Sequence, residues 1–218
     1  MEKTAPHEDV ILFYRGTLRW RGIFPELTSM GITTLTNKCT FYAECMDYKP
    51  DTSDEKGYQS IFPPDQETVL VERKPKTIPG IYSEKGYIVE IKDRSDVIRD
   101  KLFAWLESQS TAASGANLRF VKDSSYEWNL LFNLLRLDPN ELEIAEYIYP
   151  TPFDMSTLLR ASNVSPEIDR ETYARYTPGI TRIVDGSTSI PRNSTLWDAK
   201  ILQLCYRRWL DDLPVKST

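Results

Sequence analysis

The chain has 218 residues and a formal net charge of −5, with 40% hydrophobic and 27% charged residues. These values are ordinary for one globular domain with an extension, and the negative charge argues against a protein that holds nucleic acid by neutralising phosphates. The single histidine, His7, excludes a histidine-rich zinc site and leaves any Ser-His-Asp or Cys-His triad dependent on one residue near the N-terminus.

Several familiar sequence patterns are absent. The chain has no Gly-x-x-x-x-Gly-Lys-Ser/Thr loop and no Gly-x-Gly-x-x-Gly, which argues against P-loop NTPases and ordinary Rossmann dinucleotide binding. No stretch approaches roughly 20 apolar residues, and the polar first residues do not resemble a signal peptide. The three cysteines lack a metal-binding spacing, and their odd number leaves one over if two of them pair. A reducing compartment is the simplest interpretation. We therefore expect a cytoplasmic protein, or one delivered into a host cytosol without a cleavable signal.

Hydrophobic periodicity predicts a mixture of strands and helices. The first nine residues are predicted to be flexible, and strands are predicted at 10–16, 31–36, 68–72, 86–92 and 141–149. Helices are predicted at 40–46, 96–108, 124–135 and 194–210. Long polar stretches predict exposed loops at 47–67 and 176–193.

The first predicted strand ends in an arginine. Val10–Tyr14 is a short apolar run that suits a buried strand, and Arg15, Gly16 and Thr17 follow it directly. An arginine at the end of a buried strand, next to a glycine, is well placed to bind a phosphate or carboxylate through two hydrogen bonds. The alternative is that Arg15 simply leaves the core and meets solvent.

The segment from Gly31 to Ala43 combines a threonine-rich strand with a predicted helix. β-branched residues favour the extended strand, and Asn37 interrupts it and can cap a helix. Phe41 and Tyr42 share one side of that helix with Cys45. Hydroxyl groups at such a junction can orient a polar ligand, while the helix N-terminus favours negative charge.

Three acids lie in the predicted strand at 141–149. They are Glu141, Glu143 and Glu146, and an apolar run follows the last of them. The alternative is that these acids form a solvated strand edge.

Taken in order, these segments resemble the ADP-ribosyltransferase family. Tyr14-Arg15-Gly16 resembles its first strand motif, Thr34-Leu35-Thr36 its hydroxyl motif, and Phe41-Tyr42-Ala43 its helix motif. The resemblance implies an α+β fold, a split β-sandwich flanked by helices. It further implies a catalytic domain at 10–155 and a helical C-terminal extension at 156–218 that packs on the same domain.

The resemblance also implies an activity: NAD is the substrate, ADP-ribose is transferred to a macromolecule, nicotinamide leaves, and no metal is required. The implied NAD-binding residues are Arg15, Gly16, Thr17, Thr34, Thr36 and Tyr42. The implied catalytic carboxylate is Glu146, with Glu143 as its competitor. Such a carboxylate stabilises the positive charge that develops on the ribose, as in glycoside cleavage.

Alternatives to protein modification stay open. The net charge favours a protein acceptor, such as a host protein attacked by a bacterial effector or toxin, over a nucleic acid. With water as the acceptor the protein is an NAD glycohydrolase toxin. The run Phe13-Tyr-Arg-Gly-Thr also resembles domains named for a Phe-Arg-Gly motif, so a third alternative is an inactive module that binds a ligand or partner. The sequence leaves the oligomeric state open.

Overall fold

The computed structural model describes residues 9–21, 24–36, 39–47, 71–73, 87–137, 143–175, 177 and 194–213. Within these ranges, strands form one mixed sheet and helices cover both of its faces, so the predicted α+β class is confirmed. A second sheet, which a split β-sandwich requires, does not occur among the described residues. No helix within these ranges is long and apolar enough to cross a membrane.

The strands are β1 Val10–Arg21, β2 Phe24–Thr34, β3 Cys39–Cys45, β4 Val71–Arg73, β5 Tyr87–Asp93, β6 Leu118–Lys122 and β7 Phe153–Asp154. The helices are α1 Ser95–Ala112, α2 Ser125–Leu135, α3 Met155–Ala161, α4 Arg170–Ala174 and α5 Thr195–Asp211. The strand order across the sheet is β4-β5-β3-β2-β1-β6-β7. Strands β1, β2 and β3 form an antiparallel meander, while β6 lies parallel to β1 and β5 lies parallel to β3.

Alternating residues of the central strands supply two separate cores. Leu12, Tyr14 and Ile32 point to the first face, where they pack with α1 and α2. Phe13 and Val121 point to the second face, where they pack with α3, α4 and α5. This period of two follows from the pleat of a strand. Helices from both halves of the chain therefore close on one central sheet.

Helix α5 makes an unusually close approach to the sheet at Gly31. A Cβ atom placed on Gly31 would lie 2.6 Å from the Thr195 carbonyl oxygen and from the Leu196 amide nitrogen and Cα. Backbone atoms cannot rotate out of the way, so only a glycine at this position lets the first turn of α5 touch the strand. The helix end is fixed locally as well, because the Ser194 hydroxyl accepts a hydrogen bond from the Trp197 amide.

Two of the predicted elements differ from those observed. The predicted helix at 40–46 is strand β3, because Phe41 and Ala43 face the first core while Thr40 and Tyr42 face the other side of the sheet. The described part of the predicted strand at 141–149 is a turn with isolated bridges at Ile144 and Ile148. There the Ile148 amide donates to the carbonyl of a residue only three positions earlier, so the chain cannot extend.

Other predicted elements are confirmed with shifted ends. The strand predicted at 10–16 continues to Arg21, and β2 begins at Phe24, well before the predicted 31–36. The predicted helices at 96–108, 124–135 and 194–210 correspond to α1, α2 and α5. The predicted flexible residues 1–8 and most of the two predicted long loops lie outside the described residues.

We predict that Gly31→Ala destabilises the fold by about 1–3 kcal/mol, the usual range for overpacking a core. The new methyl group collides with the α5 backbone, so amide hydrogen exchange in α5 becomes faster while exchange in α1 stays unchanged. Unfolding in urea and hydrogen-exchange mass spectrometry measure the two effects.

Gly115→Ala is the control for this substitution. Gly115 has a φ of +80° and no atom within 4 Å of an added Cβ, so alanine strains the backbone there without touching α5. Equal exchange in α5 for the two variants would contradict the close packing at Gly31.

Candidate active site

The carboxyl end of β6 and the middle of β1 lie beside a group of charged residues that contact one another. The two parallel strands pair as far as Phe13 and Val121, and the charged residues Arg15 and Asp123 follow two positions later on the same face. In sheets with parallel strands, ligands commonly bind in the crevice beyond the carboxyl ends of those strands. The location alone therefore makes this a candidate site.

Asp123 holds two arginines together. Its Oδ2 atom accepts from Nη1 of Arg15 at 3.1 Å, and its Oδ1 atom accepts from Nη2 and Nε of Arg170 at 2.6 and 3.0 Å. The side chains of Arg15, Asp123 and Arg170 are 20%, 13% and 16% exposed, so water screens these ion pairs only partly.

Glu127, in the first turn of α2, adds a second carboxylate to Arg15. Its Oε2 atom lies 3.2 Å from Nε of Arg15 and also accepts a hydrogen bond from the Gly16 amide at 3.2 Å. The Tyr14 hydroxyl donates to the Glu127 carbonyl, which anchors the same turn to β1. Burial raises the pKa of Glu127, even though Arg15 and the Gly16 amide oppose that rise.

Two further acids approach from the second face of the sheet. Asp198 lies in the first turn of α5, and burial raises its pKa, with Arg15 opposing and Glu171 and Asp123 adding to the rise. Glu171 is positioned by the indole of Trp197, which donates to its Oε1 atom at 3.0 Å. A carboxylate in a first helical turn is favoured by the helix dipole, which offsets part of the cost of its burial.

We call these six residues the Arg15 cluster: Arg15, Asp123, Glu127, Arg170, Glu171 and Asp198. The cluster contains four carboxylates and two guanidinium groups, so it carries an excess of negative charge when all groups are ionised. Raised carboxylate pKa values beside arginines are typical of catalytic sites, although structural ion-pair networks also produce them. Chemically, the cluster can bind an anion through its arginines and stabilise a cation through its acids.

The predicted residue Tyr42 lies in line with Arg15 across the sheet. Arg15 pairs with Gly31, Gly31 with Tyr42, and Tyr42 with Glu90, so these residues share one face in a single cross-strand row. The backbone of α5 covers the middle of the row at Gly31. The Tyr42 ring is buried, and its hydroxyl donates to Glu44 at 2.6 Å, so Tyr42 supports the sheet face rather than offering an open stacking surface.

The next row of the same face is also polar. Thr17 pairs with Ser29 and their hydroxyls are 2.6 Å apart, while the Thr195 hydroxyl at the start of α5 lies 3.3 Å from that of Ser29. Further along α5, Lys200 is buried, and burial lowers its pKa to about 8. The second face thus carries hydroxyl and charged groups beneath a helix, where an apolar core is the usual arrangement.

The predicted residues Thr34 and Thr36 lie elsewhere. Thr34 pairs with Leu12, three positions along β1 from Arg15, and its side chain hydroxyl lies 3.3 Å from that of Thr36 and accepts from the Cys39 amide. These contacts close the connection between β2 and β3. The structure therefore places Arg15, Gly16 and Thr17 in the middle of β1 and the two threonines beside its first residues.

The predicted catalytic acids also lie far from Arg15. Glu146 and Glu143 are exposed, and Glu146 belongs to the turn that precedes Ile148. Ile148 bridges to Leu118, which pairs with Val10 at the start of β1. Arg15 comes five positions after Val10 along the strand, a span of roughly 16 Å. The structure therefore does not bring Glu146 and Arg15 together.

The sequence interpretation missed the acids that do contact Arg15. Ser124, with Glu127 three positions later, has the spacing of a capping box, and the Ser124 hydroxyl caps α2. The Glu127 carboxylate instead turns to the Gly16 amide. Asp123 directly follows the buried strand β6, and the carboxyl end of such a strand is a common position for a site residue.

No protein-family model matches the chain, and no curated protein matches it. Among the described residues, no three His, Cys, Asp or Glu side chains are arranged to hold a metal ion.

We predict that the free energy of unfolding of Asp198→Asn increases relative to that of the wild type as the pH rises from 4 to 7. Because the pKa of Asp198 is raised in the folded state, its contribution to stability is present below its unfolded value of 3.8 and is lost as the pH passes the folded value. Asparagine has no such loss. Urea unfolding of both proteins at the two pH values measures the difference.

Asp96→Asn serves as the control, because Asp96 is exposed and lies outside the Arg15 cluster. A difference in unfolding free energy between wild type and Asp198→Asn that stays constant from pH 4 to 7 would show that Asp198 is not desolvated.

Proposed function

We propose that the protein is an NAD-dependent ADP-ribosyltransferase whose active site is the Arg15 cluster. The observation that carries the proposal is the contact of Arg15 with Asp123 and Glu127 at the carboxyl end of β6. The arginine is the one that the sequence motif singles out, and the carboxylate beside it has a raised pKa. The proposal does not depend on a split β-sandwich, because the cluster forms on a single sheet.

The charges of the cluster suit the charges of NAD. The pyrophosphate of NAD is anionic, and guanidinium groups such as those of Arg15 and Arg170 bind such oxygens through paired hydrogen bonds. The N-termini of α2 and α5, which approach Arg15 from opposite faces of the sheet, add partial positive charge nearby. NAD therefore fits the donor groups present.

The excess of acids suits the bond that breaks. Loss of nicotinamide leaves positive charge on the ribose, and a nearby carboxylate stabilises that charge, as in glycosidases. Glu127 has the contacts expected of the residue that stabilises this charge, since Arg15 and the Gly16 amide fix one of its carboxylate oxygens in place. Asp198 supports it with a second negative charge. We therefore assign the catalytic role to Glu127 rather than to Glu146.

A protein is the proposed acceptor. The net charge of −5 opposes binding to nucleic acid, whereas it does not disfavour a protein surface. A toxin or effector that modifies a protein in the cytosol, including a host cytosol, is the biological role that fits this chemistry. No metal is needed for it.

NAD hydrolysis is the second candidate function. The side chains of Arg15, Asp123 and Glu127 are only 12–20% exposed. Such limited exposure favours a small acceptor, and water is the smallest. A carboxylate with a raised pKa can also act as the general base for water. Free ADP-ribose in place of a labelled macromolecule would identify this activity.

We predict that Glu127→Gln lowers NAD cleavage by about 100-fold or more, the usual effect of removing one group that stabilises transition-state charge. The matched control is Glu146→Gln, which should retain wild-type activity because Glu146 lies in an exposed turn. Purified proteins are incubated with labelled NAD and a cell lysate, and nicotinamide, ADP-ribose and labelled bands are quantified.

Circular dichroism of each variant separates loss of activity from loss of folding. Should Glu127→Gln fail to fold, Asp198→Asn replaces it, because Asp198 has fewer contacts to lose and adds to the same negative charge. Loss of activity in Glu146→Gln with full activity in Glu127→Gln would refute the assignment. A wild-type protein that neither binds nor cleaves NAD would refute the proposed function.

A further inference from the structure

Helix α2 has apolar residues on the side that faces away from the sheet as well as on the side that faces it. Trp128, Leu131 and Leu135 are buried in the first core. The opposite side carries five residues that we call the α2 strip: Tyr126, Asn129, Leu130, Asn133 and Leu134. Their spacing of three and four positions aligns them along one side of the helix. A surface helix usually carries charged residues on this side.

The α2 strip is accessible to a second molecule. Tyr126 is 65% exposed, Asn129 and Asn133 are exposed, and Leu130 and Leu134 are half-buried. Three of these residues, Leu130, Asn133 and Leu134, also line a cleft of about 480 Å³ beside the helix, which has room for side chains of a partner. Exposed apolar side chains that form a continuous strip are typical of contact surfaces between proteins.

The α2 strip carries no charged side chain. Glu127 is the only acidic residue of α2, and its carboxylate contacts Arg15 and the Gly16 amide on the sheet side. The helix contains no lysine, arginine or histidine. In a chain with 27% charged residues, a neutral strip gives a partner of opposite charge nothing to recognise.

A neutral surface instead suits contact with a second copy of the same chain. In a twofold symmetric contact the same surface lies on both sides, so any charge near the axis would lie beside an equal charge. The acids that line the cleft next to the strip add little to such repulsion. Asp47 accepts from the Ser95 amide at 2.8 Å, and Glu26 lies opposite Arg19 in the register of β1 and β2.

The order of residues in the α2 strip fits an antiparallel partner helix. With a twofold axis between Leu130 and Asn133, Leu130 lies opposite the partner's Leu134, and Asn129 lies opposite the partner's Asn133. Apolar groups then meet apolar groups, and carboxamides, which both donate and accept, meet each other. Asparagines within an apolar helix contact fix its register. Antiparallel packing also places each helix N-terminus beside the partner's C-terminus, which the helix dipoles favour.

We propose that the protein forms a symmetric homodimer in which the α2 strip packs antiparallel against the same strip of a second copy. The 11 residues of α2 span roughly 16 Å, so the contact is smaller than a standard protein interface. We therefore expect a weak dimer, with a Kd on the order of 10 to 100 µM. The dimer does not depend on the proposed ADP-ribosyltransferase activity.

Sedimentation equilibrium of the full-length protein from about 1 µM to about 1 mM covers the range from monomer to dimer at this Kd. Two variants of the exposed Asn133, Asn133→Asp and Asn133→Lys, test the symmetry of the contact. Each variant alone should dimerise at least about tenfold more weakly than the wild type, because like charges then lie on both sides of the axis. An equimolar mixture of the two should dimerise about as tightly as the wild type or better, since opposite charges then face each other.

Leu210→Lys is the control, because Leu210 is 40% exposed on α5, at the second face of the sheet. It adds a charge to an exposed apolar residue away from α2 and should leave the Kd unchanged. Circular dichroism checks that every variant is folded.

A wild-type protein that stays monomeric at the highest concentration would refute the proposal. A dimer that tolerates both charges at position 133, or one that the mixture of variants does not restore, would refute the contact at α2. A monomer that binds the apolar dye bis-ANS, and loses that binding in Leu130→Asp, would assign the α2 strip to a different protein and also refute the proposal.

Discussion

The ion pairs of Asp123 with two arginines tie together parts of the chain that are distant in sequence. One arginine lies in the middle of β1, and the other, Arg170, begins α4. Arg170 also donates to the Ser156 hydroxyl and to the carbonyls of Pro166 and Ile168, so it fixes the segment that precedes it. Breaking a buried ion pair by removing one partner costs about 3 kcal/mol or more. The positions of α3 and α4 therefore depend on one carboxylate at the end of β6.

The second face of the sheet carries polar groups whose burial costs stability but which can serve a chemical role. Apolar residues would hold a helix over this face more simply, yet α5 lies on hydroxyl groups and on the backbone of Gly31, and it carries a buried lysine of its own, Lys200. Apolar contacts from Phe13 and Trp197 hold it in place beside that polar strip. Natural proteins accept such locally unfavourable burial mainly where a site needs it. The Arg15 cluster lies at the edge of this strip, where the first turn of α5 begins.

Local signals in the sequence located the three long helices, α1, α2 and α5, and the first two strands. The serine caps of α2 and α5 and the apolar stripe of α5 are readable from neighbouring residues. Strand β3 was mistaken for a helix because Phe41, Tyr42 and Cys45 fit either period over so short a run, and the pairing with β2 and β5 decides between them. Strand pairing is a long-range property that seven residues do not reveal.

The candidate site shows the same limit. Arg15 and its glycine were recognisable, because an arginine after an apolar strand is a local pattern. Its partners Asp123 and Glu127 come more than 100 positions later, and only the parallel pairing of β1 with β6 brings them together. The sequence pattern favoured Glu146 as the catalytic residue, because an acid before an apolar run predicts a strand there. The turn that precedes Ile148 instead places Glu146 towards Val10, at the start of β1.

The most direct test of the account is a crystal structure of the protein soaked or co-crystallised with NAD. We expect the pyrophosphate to lie within hydrogen-bond distance of the Arg15 and Arg170 guanidinium groups. We also expect the nicotinamide ribose to lie beside Glu127. NAD bound at Glu146, or at any position that leaves the ion pairs of Asp123 untouched and Glu127 distant from the ribose, would contradict it.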